Sequence, residues 1–123
     1  MDNTADYLET GGIGTVVYMA PEVIRGRSTA EGIEKIQYKK TADIYSLTLI
    51  LHELFGGGSK FFPKRRPIEL MGLKFSGVGP RLQLESLPAS LRTVIQDGVD
   101  NDPKKRPKLT TFSDAIKKAA KKQ

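Results

Sequence analysis

The sequence contains no cysteine and only one histidine, His52. Without thiols there is neither a disulfide framework nor a thiolate metal site, and one imidazole alone does not make a zinc site. No apolar run approaches the roughly 20 residues that a membrane-spanning helix requires. The first residues, Met1-Asp2-Asn3-Thr4-Ala5-Asp6, are polar and acidic and lack the apolar stretch of a cleavable secretory signal. No internal repeat and no long low-complexity tract occurs. These absences describe a soluble, cytoplasmic chain with no metal site and no membrane partner.

At 123 residues the chain is long enough for one small domain with a modest core. Its net charge of +6 comes from 20 Lys and Arg against 14 Asp and Glu. Such an excess would suit an acidic partner or nucleic acid. Most of the basic residues, however, fall in three separate stretches, 60–66, 104–108 and 117–122. The last of these reads as a helix end, where cations favour the macrodipole. A solvated basic surface is the preferred reading, with a helical nucleic-acid binder as the lesser alternative.

Residues 1–14 are polar and show neither helical nor strand period, so they read as an exposed segment. Val16-Val17-Tyr18-Met19 is a short apolar run closed by Pro21, which implies an extended path. Pro21 suits the first position of a short helix over 21–24, ended by Gly26. Residues 27–40 read as a loop or insertion, at most a weak amphipathic turn. The strongest element is a helix over 41–55, apolar around nearly its whole circumference, with Thr41 or Asp43 as its cap and Gly56-Gly57-Gly58 as its stop. A helix of that kind belongs inside a protein. Beyond a basic loop at 59–66, the pattern predicts a short helix over 67–73 and an irregular stretch over 74–88. A further helix over 88–99 would be carried by Leu91, Val94, Ile95 and Val99. A last helix from Thr110 or Thr111 to Ala120 turns Phe112, Ala115, Ile116 and Ala119 inward. The sum is mainly α, with no credible sheet.

Three segments, in order, carry a resemblance. Gly14-Thr15-Val16-Val17-Tyr18-Met19-Ala20-Pro21-Glu22 resembles the end of the activation segment of protein kinases, with its Ala-Pro-Glu element. Thr41-Ala42-Asp43-Ile44-Tyr45-Ser46-Leu47, running on into Leu51-His52-Glu53-Leu54, resembles the central buried helix of the kinase C-terminal lobe. Asp102-Pro103-Lys104-Lys105-Arg106-Pro107 is similar to the loop before the last helix of that lobe. Each motif alone is weak; their order and the helical pattern between them are specific. The chain thus resembles a C-terminal lobe fragment of a eukaryotic-type protein kinase over essentially its whole length. Gly14-Thr15 points to the Ser/Thr type, and Tyr45-Ser46 to the tyrosine-kinase-like group.

The resemblance implies a partial kinase C-lobe without the N-lobe sheet. Residues 1–26 would be the end of the activation segment and the Ala-Pro-Glu helix, 27–40 a loop or insertion, and 41–123 the remainder of one incomplete domain. It implies a buried ion pair between Glu22 and Arg106, which read alone would be two unrelated surface charges. It implies that Asp43 anchors the backbone of the catalytic loop, beside its plainer reading as a helix cap. Thr15 would sit in the substrate loop, or be an ordinary turn threonine. Thr10, with Thr4 and Tyr7 as lesser candidates, lies where regulatory phosphates are added; an ordinary exposed threonine is the alternative. The parent protein would transfer the γ-phosphoryl of ATP, with Mg, to Ser or Thr of a protein substrate.

Phosphoryl transfer needs a loop over the phosphates, a lysine on them, a base and metal-holding carboxylates. The sequence contains no His-Arg-Asp and no Asp-Phe-Gly. Gly11-Gly12-Ile13-Gly14 neither follows a strand nor has the spacing of a phosphate loop. His52, in mid-helix, reads as a packed side chain, and Asp43 and Asp97 lack the neighbours of metal ligands. The chain itself is therefore expected to hold no cofactor and to complete no catalytic site. Three departures from the family pattern stand out: Thr48 where Gly is common, a long stretch over 25–40, and Val99 where many relatives carry Trp. A non-catalytic interaction module, from a truncated kinase or a pseudokinase, is the alternative function. In either case some of Leu47, Leu49, Ile50, Leu51 and Leu54 would face water, which implies self-association.

Overall fold

The computed structural model describes residues 16–26 and 32–121, with the backbone alone for 33–37. Thr4, Tyr7, Thr10 and Thr15 lie outside the described residues. Among the described residues five helices follow one another: α1 (Pro21–Ile24), α2 (Ile33–Leu54), α3 (Pro67–Phe75), α4 (Ala89–Gly98) and α5 (Leu109–Lys121). Two 3₁₀ turns, Leu84–Ser86 and Pro103–Lys105, lead into α4 and α5. Among the described residues there is no strand, and no helix is long and apolar enough to cross a membrane.

Proline starts α1 and α3, where its missing N–H is not needed and its φ already suits a helix. Pro88 immediately precedes α4 as its N-cap residue. The longest element differs from the sequence expectation. Helix α2 begins at Ile33, so the loop assigned to 27–40 is helical from residue 33 onward. The reason is local: after Gly32, at φ +65°, no Gly or Pro interrupts the chain before Gly56, and the polar residues between are adequate helix formers. Thr41 and Asp43 are consequently interior residues and cap nothing; the Thr41 hydroxyl instead donates to the Tyr38 carbonyl one turn back, at 3.0 Å. Residues 16–18 form a helical turn where an extended path was expected, because Pro21 restricts only the residue immediately before it. Gly56, at φ +106°, ends α2 in the left-handed region that favours glycine.

Helix α2 is the axis of the core, but it is not covered all round. Ile44, Tyr45, Thr48, Leu49, Leu51 and His52 are buried, whereas Ile50 is 44% and Leu54 72% exposed. One core cluster joins Ile44 and Leu51 to Leu91, Ile95, Phe112 and Ala119 of α4 and α5. A second joins Tyr45 and Leu49 to Ala20, Phe61 and Val99. Each fully buried side chain of this kind contributes about 1.5–3 kcal/mol. Helices α2 and α4 approach closely at Gly98, where a β-carbon would stand 2.1 Å from Thr48 Oγ1 and 2.9 Å from Phe112 Cζ. No side chain larger than hydrogen fits there without movement.

Candidate functional site

His52 is no base. Its Nδ1 lies 2.8 Å from the Gly58 carbonyl, and its Nε2 accepts the Gln83 N–H at 2.9 Å. Those partners assign the proton to Nδ1 and occupy both nitrogens. Phe61 packs on the ring with centroids 4.9 Å apart. Among the described residues no group of three His, Cys, Asp or Glu side chains could hold a metal ion.

The polar organisation of the molecule gathers instead around one strip of chain, residues 16–26, which crosses α2 and α3. Glu22 of α1 and Arg106, from the loop before α5, meet in a bidentate pair: Nη1 donates to Oε2 at 2.6 Å and Nη2 to Oε1 at 2.8 Å. The Arg106 side chain is fully buried and that of Glu22 is 14% exposed. Arg106 also donates from Nε to the Asp100 carbonyl and from Nη1 to the Thr41 carbonyl, both at 2.9 Å. A single guanidinium thereby ties α1, α2 and the loop between α4 and α5 together, using the rigid fork that suits carboxylates.

Lys74, from the last turn of α3, holds the other end of the strip. It is fully buried, and its ammonium donates to the carbonyls of Val16 at 2.7 Å, Val17 at 2.5 Å and Met19 at 2.7 Å. The carbonyl between them, of Tyr18, accepts the Ser46 hydroxyl at 2.6 Å. The Tyr45 ring stands near both cations, 5.2 Å from Arg106 Cζ and 4.9 Å from Lys74 Nζ, and the Phe62 ring stands 5.1 Å from the Lys74 amine. Burial pushes the Lys74 amine down to about 7; the three carbonyls and two ring faces act in the opposite sense by favouring the ammonium. Burial also holds the Tyr45 phenol well above its ordinary value. The Tyr18 hydroxyl donates to the Glu53 carboxylate of α2, which raises that phenol to about 12. Arg25 donates to the Phe75 carbonyl at 3.2 Å and so ties the end of α1 to the end of α3.

Of the residues singled out in the sequence, Glu22 and Arg106 come together, and Asp43 lies exposed on α2. Thr15, Thr10, Thr4 and Tyr7 fall outside the described residues. Sequence reasoning missed Lys74, Tyr18, Ser46 and Glu53. For Lys74 one signal was present: it stands four residues after Leu70, on the face of α3 that is buried. A charged residue at that spacing is normally read as a solvated break in the apolar face, and here it is an interior contact. The arrangement fixes the backbone of a short segment at every carbonyl from 16 to 19. Its chemistry is that of holding a chain in place.

Comparison with known proteins supplies the context. Residues 1–116 match the family profile described as protein tyrosine and serine/threonine kinase. The chain is 35% identical over 100 residues to the dual specificity protein kinase shkE of Dictyostelium discoideum, covering 80% of this chain and 13% of that protein. It is 30% identical over 115 residues to the serine/threonine-protein kinase VIK of Arabidopsis thaliana, covering 94% of this chain and 23% of that protein. It is 31% identical over 111 residues to a protein kinase and PP2C-like domain-containing protein of Arabidopsis thaliana, covering 77% of this chain and 16% of that protein. The chain thus spans less than a quarter of the length of each of these relatives.

Proposed function

The chain belongs to the protein tyrosine and serine/threonine kinase family, and from that premise we propose that it is the C-terminal, substrate-docking part of a kinase domain whose parent phosphorylates Ser or Thr of proteins. ATP and Mg would be held by parts of the parent outside this chain. The observation that supports this reading is the strip 16–26, whose carbonyls from 16 to 19 are each tied down while Glu22 and Arg106 fix its far end. A platform with a set backbone path is what presenting an extended peptide to a reacting phosphate demands. Thr15 would contact the acceptor side of the substrate, Asp43 would accept hydrogen bonds from the catalytic-loop backbone, and Thr10, Thr4 or Tyr7 would take regulatory phosphates. The test is fluorescence anisotropy with labelled Ser- and Thr-containing peptides, alongside calorimetry with an ATP analogue and Mg. Saturable peptide binding without nucleotide binding is expected. Nucleotide binding to this chain, or no peptide bound at all, overturns the reading.

A second reading, a non-catalytic interaction module, is favoured by one feature. Leu47, Ile50 and Leu54 follow at i, i+3 and i+7 on one face of α2, and the last two are exposed. Beside them runs an open groove of 590 Å³ lined by Leu47, Leu109, Phe112 and Ile116. An apolar face of this kind associates, and its occupant in the isolated chain would be a second copy. Light scattering at micromolar concentration should report a species larger than a monomer; a clean monomer removes this reading.

A further inference from the structure

Lys74 presents a physical problem that docking alone does not explain. A buried ammonium ordinarily has a carboxylate beside it. Among the described residues this one donates only to backbone carbonyls, and the acid on the neighbouring helix, Glu22, is already engaged by Arg106. Among the described residues, the charged and titratable groups around it are the Tyr45 phenol on α2, Arg106, 5.2 Å from the centre of that ring, and Arg25, whose Nη2 reaches the Lys74 carbonyl at 3.5 Å. None of them neutralises the amine.

Three carbonyl oxygens of one short turn converge on a single point. Their dipoles point inward together and repel one another, so a chain left to itself would splay them toward water. The three N–H bonds of an ammonium match the three oxygens one for one. An apolar residue of the same length would fill the space equally well and would avoid burying a charge, but it could not draw the oxygens together. We propose that Lys74 is a positioning residue whose positive charge sets the backbone path of residues 16–19, and that it does so without adding to the overall stability of the fold. The consequence for substrate rests on the docking reading above; the geometry does not.

The absence of cysteine makes a clean experiment available. In Lys74→Cys the introduced thiol is the only one in the chain. Alkylated in denaturant with 2-bromoethylamine and refolded, it carries an ammonium on a thioether stem. Alkylated with 1-bromopropane it carries a methyl group of similar size at the same place. At pH 6 the two proteins differ essentially by one charge at residue 74. Urea unfolding is expected to give the same midpoint for both. Exchange of the Met19 amide, which bonds the Val16 carbonyl at 3.2 Å, is expected to be at least about tenfold faster in the propyl protein, corresponding to about 1.4 kcal/mol. Amides of α4 and α5 should exchange alike in both. Lys74→Met, made without chemistry, repeats the comparison against the unmodified chain. Equal exchange at Met19 overturns the proposal. So does global unfolding of the uncharged proteins, since the charge would then serve the whole fold. Labelled peptides should bind the ammonium form more tightly; if neither form binds peptide while Met19 still differs, the docking reading fails and the positioning role stands.

Discussion

Glu22→Gln removes one charge from the bidentate contact and keeps its shape. The guanidinium of Arg106 is then buried with two carbonyl partners, Asp100 and Thr41, and a neutral amide in place of its carboxylate. One of the two Glu22 contacts can be replaced by the amide oxygen; the other becomes N–H against N–H. Breaking one partner of a buried pair costs about 3–5 kcal/mol. Because Arg106 keeps two carbonyls and Glu22 is 14% exposed, the lower end is expected, about 3 kcal/mol. For a small domain, whose urea dependence is about 1–3 kcal/mol per molar, that moves the midpoint down by roughly 1–3 M. The assay is urea unfolding followed by far-UV circular dichroism. Replacing both residues, as Glu22→Met with Arg106→Met, should be less damaging than Glu22→Gln alone, since no charge is then stranded. A Glu22→Gln shift of under about 1 kcal/mol, the worth of an exposed pair, would refute the view that this contact is buried and holds α1 to the rest of the molecule.

Two further outcomes follow from single contacts. Gly98→Ala places a methyl group where Thr48 Oγ1 stands 2.1 Å away; overpacking should cost about 1–3 kcal/mol, and Gly98→Ala combined with Thr48→Ala should recover most of it in thermal unfolding, whereas strictly additive losses would count against a direct clash. Alkaline titration followed by tyrosinate absorbance should show Tyr18 ionising at about 12, and Glu53→Gln should bring that step back toward the ordinary value of about 10. The folded form binds its phenolic proton more tightly than the unfolded form, so this contact supports folding below pH 10 and loses its effect as pH rises through 12. A wild-type titration in which Tyr18 ionises near 10 would contradict the Tyr18–Glu53 bond.

The helices were largely legible because their ends are marked chemically. Pro21, Pro67 and Pro88 mark starts, Gly26 and Gly56 mark stops, and the apolar spacing of Leu91, Val94 and Ile95 identifies the inner face of α4. The start of α2 was not legible, because residues 33–40 carry no apolar period strong enough to distinguish a helix from a polar loop, and only the absence of Gly and Pro argued for one. The site was legible to a different degree. Glu22 and Arg106 stand 84 residues apart, and nothing in their spacing joins them; only the family resemblance brought the two together in the sequence reading. Lys74 had no such help. Its partners are backbone oxygens, which every residue carries, so no side-chain pattern encodes that they converge.

Thr48 shows how a departure from a family pattern can be absorbed physically. Where the kinase resemblance led the sequence reading to expect glycine in the middle of the central helix, this chain carries a fully buried threonine whose hydroxyl donates to the Ile44 carbonyl one turn back, at 2.6 Å. That bond satisfies the buried hydroxyl without a partner on another helix. The added volume must still go somewhere, and it goes against Gly98, where the facing helix has no side chain at all. The two helices can therefore keep a close approach with the bulk on α2 instead of α4. Position 48 read alone looks like an error in the kinase pattern, and position 98 looks like a helix end. Together they form one packing unit, which is why the departure at Thr48 leaves the core intact.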